Sequence, residues 1–255
     1  MNSNQHRIIG IMGAMPEEVE EIIPMIQNLQ KFEIGNRIFY SGTINHISVV
    51  VAFAKWGKVA ASITASVMIL HFKVNEIIFT GVAGGIADHL NIGDIVIGKN
   101  IYQHDMDARP LLQQFEIPLT GKLFFECDAE KINLYHNFIS NSIINKISFD
   151  KEIIDYLESI KQPYPKLYIG DIASGDQFIH DYSVKKTLKE KIPTLLCVEM
   201  EGAAVAQVCH EYKIPFSLIR IISDNANNDS IIDFQKFVEN IASKYSCMLI
   251  QALFL

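Results

Sequence analysis

Five acidic residues, Glu18, Asp176, Glu199, Glu201 and Asp224, fall just after short apolar runs that read as β-strands. In a parallel α/β sheet, ligands collect at the carboxyl ends of the strands, so these carboxylates are candidates to share one site. Carboxylates gathered without a histidine cluster suit a transition state that carries positive charge, such as the oxocarbenium ion of glycosidic cleavage. A purine leaving group adds a second demand. One carboxyl must hold a proton near neutral pH to protonate the ring, while another stays ionised to activate water. Burial and nearby like charge can separate two such pKa values. No Ser/His/Asp nucleophile arrangement is evident, and the eight histidines show no paired ligand spacing, so no metal and no cofactor is expected.

Each of these residues also has a plainer role. Glu18 could be a first-turn helix acid complementing the helix dipole. Asp224 could be an N-cap or turn residue before Asn225. Glu199 and Glu201 bracket Met200 at a strand-to-helix junction, where at least one could cap the following helix. Met15, Met200 and Phe234 would ordinarily be core residues.

The elements that must position these groups alternate. Arg7–Gly13 reads as a strand and Glu17–Gln27 as a helix with acids in its first turn. Arg37–Thr43 and His46–Phe53 form a hairpin, Lys58–Phe72 a helix, and Glu76–Gly81 a buried strand. That strand runs into a loop, Gly81–Gly85, whose glycines would let a ligand approach the main chain. Strands at Ile95–Ile101, Leu167–Ala173, Leu195–Val198 and Phe216–Ile222 alternate with helices at Gly202–Tyr212 and Ile231–Leu253. The pattern predicts a largely parallel sheet covered on both faces, in one domain spanning 1–255. Asp128–Pro165 is the least patterned stretch and is expected to be peripheral, with helices at Ala129–Ile139 and Asp150–Ile160 around a polar turn.

Composition narrows the partners. There are 22 Lys+Arg against 29 Asp+Glu, a net charge of −7 with no basic cluster, so nucleic acid has no evident landing surface. The amino terminus lacks signal-peptide architecture, and no apolar run approaches a membrane span. Cys127, Cys197, Cys209 and Cys247 are scattered, which predicts buried free thiols in a reducing, cytoplasmic compartment.

Seven segments taken together are more specific. They are Gly13-Ala14-Met15-Pro16-Glu17-Glu18-Val19, Gly57-Lys58-Val59, Thr80–Gly85, Gly93-Asp94, Ser174-Gly175-Asp176-Gln177-Phe178, Val198-Glu199-Met200-Glu201-Gly202-Ala203 and Ile222-Ser223-Asp224. In this order and spacing the chain resembles the bacterial 5'-methylthioadenosine/S-adenosylhomocysteine nucleosidases, over nearly its whole length. The resemblance implies an α/β/α domain around a mixed, barrel-like sheet, and a homodimer in which a partner loop, matching Asp107–Pro118, helps close each site. It also implies a place in methionine salvage. By matching motifs, Glu18 resembles the general base that activates water and Asp224 the general acid at adenine N7. Glu201, with Glu199 in the same VEMEG motif, resembles the glutamate that holds the ribose hydroxyls, and Met200 lies against the sugar face. Phe178 resembles the aromatic on which adenine stacks, with the Ile179 main chain at the base edge. Val82 and Ser223 fall in motifs beside the base, Met15 and Phe234 in the lining near the 5'-substituent, and Arg220 at an arginine beside the site. Val82 stands where a serine is common, and Trp56 where a smaller aliphatic residue is usual.

Three alternatives stay open at this level. One is a branch of the same family that hydrolyses aminodeoxyfutalosine, a menaquinone precursor, which Gln103-His104-Asp105 and Ser223-Asp224-Asn225-Ala226 resemble. Another is a phosphate-dependent nucleoside phosphorylase on the same scaffold. With only Arg7, Arg37, Arg109 and Arg220 in the chain, arginines to hold phosphate are scarce, which favours water as the nucleophile. The third is a nucleoside-binding protein without turnover, and the presence of Glu18, Glu201 and Asp224 together weighs against it.

Overall fold

The computed structural model describes residues 7–144, 150–227 and 230–254. Runs of Ile, Val and Phe form the central strands because branched and aromatic side chains pack well on a pleated surface. The strands are β1 (Ile8–Gly13), β2 (Gln27–Ile34), β3 (Arg37–Ile44), β4 (Ile47–Phe53), β5 (Glu76–Gly85), β6 (Ile95–Gln103), β7 (Phe124–Glu126), β8 (Leu167–Ser174), β9 (Leu195–Glu199) and β10 (Phe216–Asp224). The helices are α1 (Lys58–Leu70), α2 (Ala129–Ile144), α3 (Lys151–Ser159), α4 (Tyr182–Lys191), α5 (Gly202–Tyr212), α6 (Ser230–Phe237) and α7 (Ser243–Phe254), with a wider π-type turn, Val238–Ala242, joining the last two.

The strands pair in the order β10-β6-β8-β9-β5-β1-β4-β3-β2, and β10 pairs again with β5, closing five of them into a barrel. The sheet is mixed. β5 runs parallel to β1 and β10, whereas β6 is antiparallel to β10 and β9 antiparallel to β5. Because β9 meets β5 only at Gly84–Val198 and Gly85–Cys197, the carboxyl ends of two oppositely directed strands converge there. That crossing is where a site can form. Around it, α5 packs on α1, β6, β7 and β8, while α2 packs on β6, β8 and α7.

Four expectations from the sequence are corrected. The stretch Glu17–Gln27 is not an α-helix but two single 3-10 turns, Pro16–Glu18 and Ile23–Met25, because Pro24 lacks the N–H a helix interior needs. The Gly81–Gly85 segment is not a loop; β5 continues through it. The edge strand β2 and the helix α4 were not anticipated, since β2 is mostly exposed and α4 buries only Leu188, so neither shows an apolar period. Asp128–Pro165 is not peripheral: Tyr135 and Ile139 of α2, with Ile153 and Leu157 of α3, enter the main core. The centre of the polar turn between those helices, 145–149, lies outside the described residues, as does the amino-terminal stretch 1–6.

One buried ionic group fastens α2 to the sheet. Glu76, at the start of β5, takes the Lys131 ammonium at 2.7 Å and the Arg7 guanidinium at 3.0 Å, and accepts a hydrogen bond from the Tyr135 hydroxyl. Burial disfavours the carboxylate, but Lys131 and Tyr135 outweigh it and hold the group below its ordinary value. A depressed folded-state pKa stabilises above the unfolded value and loses that contribution as pH falls through the folded one. Glu76→Ala should therefore cost about 2–3 kcal/mol in denaturant unfolding at neutral pH. The difference from wild type should shrink in acid.

Candidate active site

Beside the strand crossing lies a cavity of about 300 Å³. Of the residues singled out in the sequence, Met15, Glu18, Val82, Phe178, Ile179, Glu199, Met200, Glu201, Ser223, Asp224 and Phe234 line it. Arg220 does not. It is buried behind the cavity wall, in register with Gly81 across the β5–β10 ladder, with its guanidinium 4.3 Å from the Phe79 ring centre.

Glu18 reaches the cavity from the 3-10 turn after β1. One oxygen accepts the Ala14 N–H at 2.5 Å and the Met15 N–H at 3.2 Å; the other accepts the Val82 N–H at 2.9 Å. Glu18 thus caps its own 3-10 turn and also faces the cavity. Burial raises the Glu18 carboxyl above the ordinary value, against the opposing pull of Arg220 and the three amides. A carboxyl held in this balance is more basic than one in water.

Glu199 and Glu201 divide the work at the start of α5. Glu199 accepts the Gly202 N–H at 2.8 Å, the Glu201 N–H at 3.2 Å, the Ser174 hydroxyl, and the Arg220 guanidinium at 2.5 Å. Its oxygens are therefore occupied by the protein. Glu201, although it stands at the N-cap position, makes no capping bond with its side chain. One of its oxygens instead accepts the Gly57 N–H at 2.7 Å, at the start of α1. Burial first, and Glu199 second, raise the Glu201 carboxyl well above its usual range.

Asp224 ends β10, just past a register shift between Ile222 and Asp224. One oxygen accepts the Ala226 N–H at 2.8 Å and the other lies 2.9 Å from the Ser223 hydroxyl, with Ser230 also hydrogen-bonded to the carboxyl. Burial raises its pKa. Burial thus pushes Glu18, Glu201 and Asp224 all above their ordinary values. Opposite them, Phe178 and Phe234 meet edge to face at 5.5 Å, and Trp56 is exposed at the mouth.

Sequence reasoning assigned no role to the Gly57 N–H or to Ser174, although both lie in motifs that the resemblance used. Of the glycines of β5, Gly84 lines the cavity, whereas Gly81 does not. What approaches Gly81, whose φ is +149°, is not a ligand but the Glu18 carboxyl and the Arg220 guanidinium, which occupy the space a Cβ would need. Among the described residues no group of three His, Cys, Asp or Glu side chains is placed to hold a metal ion, and no helix is long and apolar enough to cross a membrane.

Residues 8–254 match the sequence profile of the phosphorylase superfamily. The chain belongs to that superfamily. Within it, the chain is 38% identical to a 5'-methylthioadenosine/S-adenosylhomocysteine nucleosidase of Shewanella denitrificans, over 96% of this chain and 97% of that one. The fold is shared with a solved nucleosidase of the same name from Colwellia psychrerythraea in complex with adenine, with a TM-score of 0.84 and 28% identity over 98% of this chain and 95% of that one. It is shared equally with the futalosine hydrolase of Helicobacter pylori, with a TM-score of 0.82 and 30% identity over 98% of both chains. The closed, mixed barrel expected from the resemblance is present in this member of the superfamily.

The packing at Gly81 can be tested without any ligand. Gly81→Ala should lower unfolding stability by about 1–3 kcal/mol, the usual cost of forcing extra volume into a packed core. Wild-type stability in a denaturant titration would contradict the close approach of Glu18 and Arg220.

Proposed function

We propose that the protein hydrolyses the N-glycosidic bond of 5'-methylthioadenosine and S-adenosylhomocysteine, releasing adenine and the 5-thio-substituted ribose. One observation carries the choice of water over phosphate: among its described residues the cavity is lined by Glu18, Glu199, Glu201 and Asp224 and by no Lys or Arg. Four acids and no cation make a poor seat for an anionic nucleophile and a good one for a cationic transition state. Arg220, the one arginine nearby, is already committed to Glu199.

In this reading adenine stacks against Phe178, with the Ile179 main chain at its edge and Val82 beside it. Asp224 gives its proton to N7 as the bond from N9 to C1' breaks, and Ser223 steadies the carboxyl. Water attacks C1' from the opposite side and loses a proton to Glu18. Glu201 holds the ribose hydroxyls, Met200 packs on the sugar, and Met15 and Phe234 offer an apolar surface to the 5'-thioether. The products balance water plus nucleoside, and solvent returns the proton from Glu18 to Asp224. Such a reaction serves methionine salvage.

A second substrate class has its own support. A further hollow of about 400 Å³ shares Met15, Trp56, Phe234 and Gln235 with the main cavity and extends to Pro16, Glu17, Val238 and Glu239, giving room for a longer 5'-substituent. Together with the likeness to the futalosine hydrolase, this keeps aminodeoxyfutalosine as an alternative substrate.

We also infer a homodimer. Val59, Ile63 and Leu70 are exposed apolar residues that fall on one face of α1 at helical spacing, next to exposed Trp56 at the cavity mouth; Leu111, in the expected partner loop, is exposed as well.

Three outcomes follow. Purified protein should release adenine from methylthioadenosine in phosphate-free buffer at a rate that added phosphate does not change, and Asp224→Asn should slow release by roughly 10²–10⁴-fold because an amide has no proton to give. Ribose 1-phosphate formed only with phosphate would establish a phosphorylase instead. Across pH, activity should fall at low pH as Glu18 is protonated and at higher pH as Asp224 loses its proton, both limbs lying above the ordinary values of these groups. For the dimer, Val59→Glu with Ile63→Lys should sediment as a monomer; an unchanged sedimentation coefficient would move the interface elsewhere.

A further inference from the structure

The acid at the end of β10 is not held by its own ladder alone. The β5–β10 register slips between Ile222 and Asp224, so the regular pairing that fixes the rest of β10 is interrupted where the carboxyl has to be aimed. A side chain from a helix outside the barrel spans this point. Lys185 of α4 donates from Nζ to the Gly85 carbonyl at 2.9 Å and to the Asn225 carbonyl at 2.6 Å. Gly85 follows the residue paired with Asp224, and Asn225 follows Asp224 itself. The ammonium therefore ties together the two main-chain segments that flank the acid.

We propose that Lys185 is a positioning residue for Asp224: by bridging the Gly85 and Asn225 carbonyls it holds the general acid in the orientation needed to protonate the leaving purine. The proposal rests on the nucleosidase reading. Its support is that the helix carrying Lys185 is itself fixed. Asp181 caps α4 by accepting the Ser183 N–H at 2.6 Å, and Lys189 pairs with Asp88 at 2.5 Å. Leu188 packs in a small cluster with Ile86, Ile179 and Ala226, which joins α4 to the base-edge residue and to the turn after Asp224. Lys185 is half-buried, and loss of hydration disfavours its charge, so the ammonium is better satisfied by two carbonyls than it would be unpaired. A lysine is suited to this role because its compact head has three protons to place on main-chain oxygens.

The test compares wild type, Lys185→Met, Lys185→Arg, Asp224→Asn and the Lys185→Met/Asp224→Asn double variant on two substrates. One is methylthioadenosine. The other is a 5-methylthioriboside with a 4-nitrophenolate leaving group, which departs without a proton. A misplacement of the order of 1 Å costs roughly 10²-fold in rate, so Lys185→Met should lower kcat for adenine release by roughly 10- to 100-fold with little change in KM. Lys185→Arg should restore most of it. The double variant should be no slower than Asp224→Asn, and Lys185→Met should turn over the nitrophenyl riboside at close to the wild-type rate. Equal losses on both substrates, additive losses in the double variant, or a normal kcat in Lys185→Met would overturn the proposal while leaving the nucleosidase reading intact. Failure of the wild type to release adenine would overturn that reading and this one with it.

Discussion

A buried positive charge needs partners, and Arg220 determines where the acids of this protein can stand. Its side chain is almost completely removed from water, inside the barrel, with Glu199 at 2.5 Å and Glu18 and Glu201 close enough for their charges to act on it. Three carboxylates buried without a counter-charge would be driven to their neutral forms. With Arg220 among them, Glu199 takes the guanidinium directly, while the same charge opposes the burial that raises Glu18 and Glu201. The barrel's closure supplies this arrangement. Only when β10 pairs with β5 does Arg220 come level with Gly81, where the missing Cβ leaves room for the guanidinium and for Glu18.

The site then follows from a division of labour between neighbours. Glu199 and Glu201 are two residues apart, yet the first is saturated by Arg220, Ser174 and the amides that open α5, while the second is released to the cavity by the Gly57 N–H. Asp224 makes no bond to the cation; burial raises its pKa against hydrogen bonds from Ala226, Ser230 and Ser223. In the proposed reaction, acid and base would be separated by environment rather than by residue type.

Much of this was legible in the sequence, for reasons that differ by residue. Carboxylates at strand ends announce themselves because strands with buried faces read as apolar runs, and Glu18, Glu201 and Asp224 each follow one. Gly57 escaped because its contribution is a main-chain N–H, which no side-chain type reports. The division between Glu199 and Glu201 was left open since both bracket the same junction, and only the position of Arg220, set by barrel closure, separates them. Pro24 was a readable signal that was overridden by the acids around it. The helix α4 and the strand β2 are polar on most of their surface, so periodicity was silent, and with α4 went Lys185. Periodicity alone gave no closure, which only the family resemblance implied: a five-stranded ring depends on pairings between residues such as Arg220 and Gly81, 139 positions apart.

Arg220 opposes the burial that raises the Glu18 carboxyl. Removing Arg220 alone would strand Glu199, so the direct measurement is the pH dependence of kcat/KM for the Glu199→Met/Arg220→Met double variant, in which apolar side chains of similar volume replace the pair. On the proposed mechanism the acid limb of the profile reports Glu18 and should move to higher pH, because burial would then act on that carboxyl without its counter-charge. A folded variant whose acid limb overlays that of the wild type would contradict the account.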